Sequence, residues 1–402
     1  MAFAQPPATR RDGGSGVTTL RCDLLVVGAG PAGSALAAAA ASSGRDVLLV
    51  EAAHHPRPKV CAEYASPRIA EELARLGAGG WRAAAVPLDG MRVVSGDASA
   101  EIRYADRSSP RTAWGLDRLQ FDAGLAGHAR ARGARLVEGA RLVNLLRRGD
   151  RVTGASVRTR DGELEVTADW VVGADGARSR TARLLGVERS VRFPRRLGLV
   201  AHYEEIPGLQ DHGEMHVGDG YYVGLAPTPG GQLNVGMALP MGRGSATRRF
   251  ESAIARLPAV AARLRSSRRI TPIRGASPIG HRVSQVAGPG WLLVGDAAGF
   301  VDPFTGEGIY RALRSARAAA EALRTDDPAS AYRTERRAAF SAKDALTWAV
   351  QWLLVAPPLM HHALQRLHDH PAARLRLGSA LGDCLPASEV LTPRALFEVL
   401  RP

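Results

Sequence analysis

The stretch CDLLVVGAGPAGSALAAAAASSG, residues 22–44, constrains this chain more than any other. Residues 22–27, apolar but for Asp23, have the length and β-branched content of a buried strand. GAGPAG follows at residues 28–33, then an alanine-rich helix from Ser34 to Ser43 closed by Gly44. A second strand is expected from Asp46 to Val50, ending at Glu51. Strand, glycine turn, helix and strand make a βαβ unit of about thirty residues. Gly28 permits the tight turn, Gly30 lets backbone approach a pyrophosphate, and Gly33 lets helix and strand pack closely. Pro31 and Ala32 complete the turn at the helix N-terminus, where free N–H groups and the helix dipole hold phosphate charge. Glu51 can accept hydrogen bonds from both ribose hydroxyls, and its charge repels a 2′-phosphate. The unit therefore predicts binding of a dinucleotide without that phosphate.

The rest of the chain predicts a larger, mixed molecule. Its 402 residues suggest two to three domains. Segments 81–113 and 186–280 carry short alternating runs punctuated by Gly and Pro, the pattern of antiparallel sheet. Residues 116–133, 246–268, 308–324 and 328–349 read as helices, and 291–295 as another buried strand. The expected organisation is a flexible tail over 1–19, a discontinuous nucleotide-binding domain over 20–90, 114–185 and 281–335, a substrate-binding β-sheet domain over 91–113 and 186–280, and a C-terminal helical region over 336–402. The net charge of +14 comes almost wholly from arginine, since Lys59 and Lys343 are the only lysines. No basic run interleaved with aromatics is present, so nucleic acid is not the expected partner. Cys22, Cys61 and Cys384 are too widely spaced for a disulfide framework or a zinc site. No apolar signal segment opens the chain, and a cytoplasmic location is expected. Residues 345–364 contain no Asp, Glu, Lys or Arg, but Pro357-Pro358 interrupts them. They are expected to form a helix pair over an apolar pocket, with peripheral membrane contact as the alternative.

Three further stretches accompany the glycine turn: GLDRLQFDAGL at 115–125, DWVVGADGARSRTARLLG at 169–186, and GWLLVGDAAGFVDPFTGEGIYRAL at 290–313. With all four in this order, residues 21 to 330 resemble the FAD-dependent para-hydroxybenzoate hydroxylase superfamily of flavoprotein monooxygenases. KVCAEYASP, residues 59–67, resembles the K-x-C-G-E-x-x-S-P stretch of its geranylgeranyl reductase-like branch, with Ala62 replacing a glycine. The resemblance implies a Rossmann-like α/β FAD-binding domain beside an antiparallel substrate sheet. It implies FAD contacts from Gly28, Gly30, Pro31, Ala32, Gly33 and Glu51, from Lys59, Cys61 and Ala62 beside the flavin ring, and from Arg118 and Asp175 near the pyrophosphate. It places Asp296 on the ribityl chain and Pro303, Gly306, Gly308 and Ile309 at the flavin edge. In the residues' own terms, Asp175 also reads as a helix cap. Gly306 and Gly308 read as N–H donors at a helix start, able to stabilise charge on a reduced flavin.

No second glycine fingerprint for a nicotinamide nucleotide is present, so NAD(P)H is expected to act transiently, or another protein to reduce the flavin. The family offers two chemistries. One inserts oxygen from O2 through a flavin C4a-hydroperoxide, as a hydroxylase or epoxidase acting on an apolar or aromatic molecule. The other saturates an alkene of a prenyl or lipid substrate. YVGLAP, Tyr222 to Pro227, keeps the tyrosine and proline of the reductase Y-x-W-x-F-P stretch but has Gly224 and Ala226 at its aromatic positions. On that ground the monooxygenase is expected first and the reductase second, with a non-catalytic flavin-binding or membrane-recruited partner as a third reading. The halogenase W-x-W-x-I-P stretch is absent. Cys61 reads as a soft packing residue, as a group that tunes the flavin or passes a proton, or as a covalent or disulfide-forming residue. His281 reads as an acid or base, or as a structural histidine. Tyr221, Tyr222, His202 and His216 are candidates for the substrate wall.

Overall fold

In the computed structural model, which describes residues 18–208 and 211–394, two large sheets meet across the loops that follow the parallel strands. The first sheet has eight strands. Strand Thr18–Val27 lies at its centre, parallel on one side to Val47–Glu51 and on the other to Gly162–Gly173. Arg135–Glu138 extends the sheet beyond Val47–Glu51. The long strand Gly162–Gly173 divides its outer edge. Its first half pairs antiparallel with Arg151–Thr159, and its last three residues pair parallel with Trp291–Leu293. Leu24, Leu25, Val26, Leu48 and Leu49 are at most 1% exposed. Each such aliphatic side chain contributes about 1.5–3 kcal/mol by burial, so the βαβ unit rests on its own core. Helix Pro31–Ser42 packs on this sheet through an almost continuous alanine surface.

The first strand begins at Thr18, four residues before the apolar run that announced it, because Thr18 and Thr19 pair with Leu164 and Glu165. These two residues therefore do not belong to a tail, and residues 1–17 of the expected tail lie outside the described residues. The expected helix over 246–268 is two helices, Ala246–Ala255 and Pro258–Leu264. Pro258 cannot continue a helix from the preceding turn and instead starts a new one.

The second sheet has nine strands. Arg196–Glu204, Gln232–Pro240, Tyr222–Thr228 and Gly213–Val217 run antiparallel in that order, and Gly213–Val217 joins Gly90–Ser95 in parallel. One face is covered by helices Ala246–Ala255 and Pro258–Leu264, through Leu199, Val223, Val235 and Phe250. The other carries Met215, Tyr222 and Ala238. It is covered partly by helices Pro328–Leu354 and Pro357–Asp369, through Val350, Leu354, Met360 and Leu364. Residues 345–364 are thus a helix end, a break before Pro357 and a second helix start, packed on the sheet. No helix among the described residues is long and apolar enough to cross a membrane.

Candidate functional site

Three loops leave the carboxyl ends of neighbouring parallel strands, the place where an open α/β sheet binds ligands. They carry Gly28–Gly33, Ala174–Gly176 and Gly295–Gly299, and backbone hydrogen bonds tie them together: Gly28 N–H to Val50 O, Ala174 N–H to Val27 O, and Val294 N–H to Gly173 O. Gly28 has φ 103°, and a Cβ there would stand 2.6 Å from the Ala174 carbonyl oxygen. A Cβ on Gly33 would lie 1.8 Å from the Gly28 carbonyl oxygen. Helix Pro31–Ser42 starts without a capping side chain, which leaves its first N–H groups for a ligand. Glu51, at the end of its strand, accepts from Ala29 N–H at 2.9 Å and Ala53 N–H at 3.1 Å. Among the described residues the Asp296 side chain has no partner. A glycine cradle, an uncapped helix and a free carboxylate over adjacent strands fit a dinucleotide with a polyhydroxy linker, as FAD has. Bound there, FAD would supply hydride or one-electron chemistry.

Arg57, which the motifs did not single out, joins this cradle. Its guanidinium donates to Glu51 Oε2 at 3.2 Å and would be 3.6 Å from a Cβ on Gly30. Arg118 is buried and donates twice to Asp122, at 2.8 and 2.9 Å. Burial opposes its charge, but Asp122 and the Cys61 sulfur outweigh that and raise its pKa further. Lys59 Nζ lies over Gly176, in the same turn as Asp175. The Asp175 carboxylate itself is occupied by Ser179 Oγ at 2.5 Å and by Thr181 N and Oγ1 at 2.9 and 3.0 Å. Of its two readings, the structure shows the helix-start one: it helps cap Arg180–Leu184.

The Cys61–Glu63 turn docks on the second sheet. Glu63 adopts φ 59°, donates its N–H to Cys61 Sγ at 3.3 Å, and is only 5% exposed. Its Oε2 meets His202 Nε2 at 2.7 Å and accepts from Asn234 Nδ2 at 3.0 Å. Thr271 Oγ1 lies 3.3 Å from His202 Nδ1. The hydrogen bond to Glu63 raises the His202 pKa above its ordinary value, against the effect of partial burial. Asn234 Nδ2 also donates to the Cys61 carbonyl at 3.1 Å, which fixes the amide orientation and leaves buried Oδ1 without a protein partner. Ala62 is not among the positive-φ residues, and its methyl group sits over Gly236, where a Cβ would approach it to 3.3 Å.

The loop after Asp296 is held from both sheets. Asp302 accepts from Arg196 at 2.6 Å and from the Tyr222 hydroxyl at 2.6 Å. Burial, then the Asp302 charge, push the Tyr222 pKa well above its ordinary value. Pro303 turns the chain so that Gly306, at φ 67°, donates its N–H to the Pro303 carbonyl at 3.1 Å. Gly306 is therefore not the free donor it was expected to be. Gly308 opens helix Gly308–Ala322 without a capping side chain, and Ile309 is buried in the core beneath. The Ser66 N–H donates to the Gly306 carbonyl at 3.2 Å, which sets the KVCAEYASP stretch against this loop. Lys343 bridges buried Glu307 and Asp383 at 3.1 and 2.9 Å. Burial works against Glu307 ionising, but Lys343 and Arg311 hold its pKa below the ordinary value.

The expected substrate residues separate by face. His202 and Tyr222 lie on the face toward the Cys61 turn and the 302–308 loop. Tyr221 and His216 lie on the opposite face, where Tyr221 packs with Phe250 and His216 meets Glu214 at 2.8 Å beneath Arg263. Alternation reveals two faces but not which helices cover each. His281 is 3% exposed, exchanges backbone hydrogen bonds with Phe300, and its Nε2 lies 3.2 Å from the Ala297 carbonyl. It braces the loop around Asp296, the structural one of its two readings. Cys61 is partly exposed and all three cysteines are free. Asp302 and Asn234 were missed, although Asp302 stands within a motif already noted; nothing local marks Asn234.

Residues 21–339 match the FAD binding domain family model. The chain is 35% identical over 317 residues to a menaquinone reductase of Mycolicibacterium smegmatis, covering 75% of this chain and 76% of that protein. It is 32% identical over 310 residues to a digeranylgeranylglycerophospholipid reductase of Methanosarcina mazei, covering 75% and 74%. In fold it matches a geranylgeranyl bacteriochlorophyll reductase-like protein of Thermoplasma acidophilum with TM-score 0.78 and 24% identity, over 94% of this chain and 98% of that one. A flavin-dependent brominase matches with TM-score 0.82 and 19% identity, over 94% and 97%. The cradle, the four ordered motifs and these matches agree: the chain belongs to the FAD-binding domain family of the para-hydroxybenzoate hydroxylase type, with geranylgeranyl reductase-like relatives, and is an FAD-dependent oxidoreductase.

Proposed function

We propose that this flavoprotein saturates a carbon–carbon double bond in the polyprenyl chain of a lipid, with NAD(P)H or a partner protein supplying electrons. The relatives support a reductase: a menaquinone reductase and a digeranylgeranylglycerophospholipid reductase match at 35% and 32% identity. The observation that carries the proposal is the Glu63–His202 pair at 2.7 Å, on the sheet face that meets the Cys61 turn. Saturating an alkene requires a hydride at one carbon and a proton at the other. Reduced FAD supplies the hydride when bound. His202, whose pKa Glu63 raises, is placed to hand over that proton; Thr271 Oγ1 meets its Nδ1, and Asn234 anchors the Glu63 carboxylate.

The altered YVGLAP stretch, which favoured oxygen insertion on sequence grounds, carries less weight in three dimensions. The space at Gly224 is taken by Met215, whose Cε and Sδ would lie 3.4 and 3.6 Å from a Cβ there. Methionine is apolar and adaptable, so the wall suits a flexible chain. The test is turnover of a polyprenyl lipid in deuterated water with oxygen uptake followed in parallel. The expected product gains two hydrogens, at least one of them deuterium from solvent, without coupled oxygen uptake. A product that gains an oxygen atom from O2 would overturn the proposal.

A further inference from the structure

We propose that the face formed by Phe193, Trp348 and Trp352, with the arginine cleft beside it, docks this protein on an anionic phospholipid surface. The end of helix Pro328–Leu354 is two-sided. Val350, Gln351 and Leu354 turn inward, while Trp352 is 63% exposed. Phe193, on the segment before strand Arg196–Glu204, stacks on Trp348 at 6.3 Å and lies tilted against Trp352 at 5.6 Å between ring centroids. Val355 and Leu359 continue the apolar surface, at 42% and 39% exposure. Single exposed apolar residues are ordinary, but a contiguous group of aromatic and aliphatic side chains marks an interaction site.

The surroundings select the occupant. Arg192 and Arg195 flank Phe193. They line a cleft of about 760 Å³ with Arg178, Arg183 and Arg189, and Glu188 is the one acidic residue in its lining. Indole rings settle at the boundary between water and hydrocarbon, and guanidinium groups pair with phosphate. Basic residues near an anionic leaflet add attraction that salt weakens. A second copy placed symmetrically on this face would set one arginine cluster against the other. The face is also connected to the interior. Gln351, beside Trp352, accepts from Arg196, which holds Asp302 in the flavin-edge loop. A lipid surface docked here lies next to the elements that shape the site. The inference concerns binding alone and holds whichever reaction the flavin performs.

The experiment is flotation of the FAD-loaded protein with two vesicle types, pure zwitterionic phospholipid and the same lipid with roughly a third anionic phospholipid. Binding to the anionic vesicles is expected, with a blue shift of tryptophan emission. It should weaken by at least about tenfold near 1 M salt, where the screening length is about 3 Å. Arg192→Glu with Arg195→Glu should lower anionic-vesicle affinity by at least about tenfold. Trp352→Ser should remove the emission shift and most binding to both vesicle types. All variants should keep wild-type flavin content and unfolding temperature, because the altered side chains are exposed. Equal binding of wild type and these variants would overturn the proposal. So would a dimer that Trp352→Ser dissolves, or inorganic diphosphate binding in the cleft by a protein that ignores vesicles.

Discussion

Glu63 shows how much one residue can organise. Its N–H holds the Cys61 sulfur, and its carboxylate reaches two strands of the other sheet. His202→Gln should slow the reductive step by roughly a hundredfold or more, measured as the reoxidation rate of reduced flavin by substrate, while flavin content stays unchanged. The pair also predicts a pH dependence. A histidine whose folded pKa is raised contributes stability that is fully present below its unfolded value, about 6.5, and lost as pH rises through the folded value. The unfolding-temperature difference between wild type and His202→Gln should therefore shrink as pH rises above about 6.5; a difference independent of pH would show that the proton is not shared with Glu63. Packing is equally local at Gly236. Gly236→Val would press on Ala62 and should destabilise by about 1–3 kcal/mol, seen as a lower denaturation midpoint.

At the scale of elements, the loop over residues 302–308 is the joint between the sheets. Arg196 comes from one strand of the second sheet, Gln351 from the long C-terminal helix, and Tyr222 from another strand of that sheet, and Arg196 and Tyr222 both end on Asp302. Arg196→Met would leave the buried Asp302 charge without its partner, at a cost of about 3–5 kcal/mol. The expected outcome is a large drop in unfolding temperature and weaker flavin retention on dilution. The same loop marks where the sequence stops being readable. The βαβ unit was legible because its glycines, apolar runs and Glu51 act within thirty residues. The Gly306 N–H could not be assigned, since its partner depends on how Pro303 turns the chain. Tyr222 was visible, yet its hydroxyl partner lies 80 residues away. Tyr221 and His216 read as equals of Tyr222 and His202 until the helices over residues 246–264 cover their face. Glu63 was noted only as a motif match, because His202 and Asn234 come to it from 139 and 171 residues away.

At the scale of the whole molecule, the FAD-binding sheet supplies a glycine cradle, and the second sheet supplies His202, which meets Glu63, and Arg196 and Tyr222, which clamp the loop between the sheets. The +14 charge, unassigned by composition, has one local focus in the arginine cleft beside the exposed aromatic face. The reductase account can be tested most directly in a single anaerobic turnover. FAD on the protein is reduced with dithionite, excess reductant is removed, and a polyprenyl lipid is added without oxygen. The account predicts that the flavin reoxidises at once and that one double bond is saturated per flavin. Flavin that stays reduced until oxygen is admitted, followed by an oxygenated product, would contradict it.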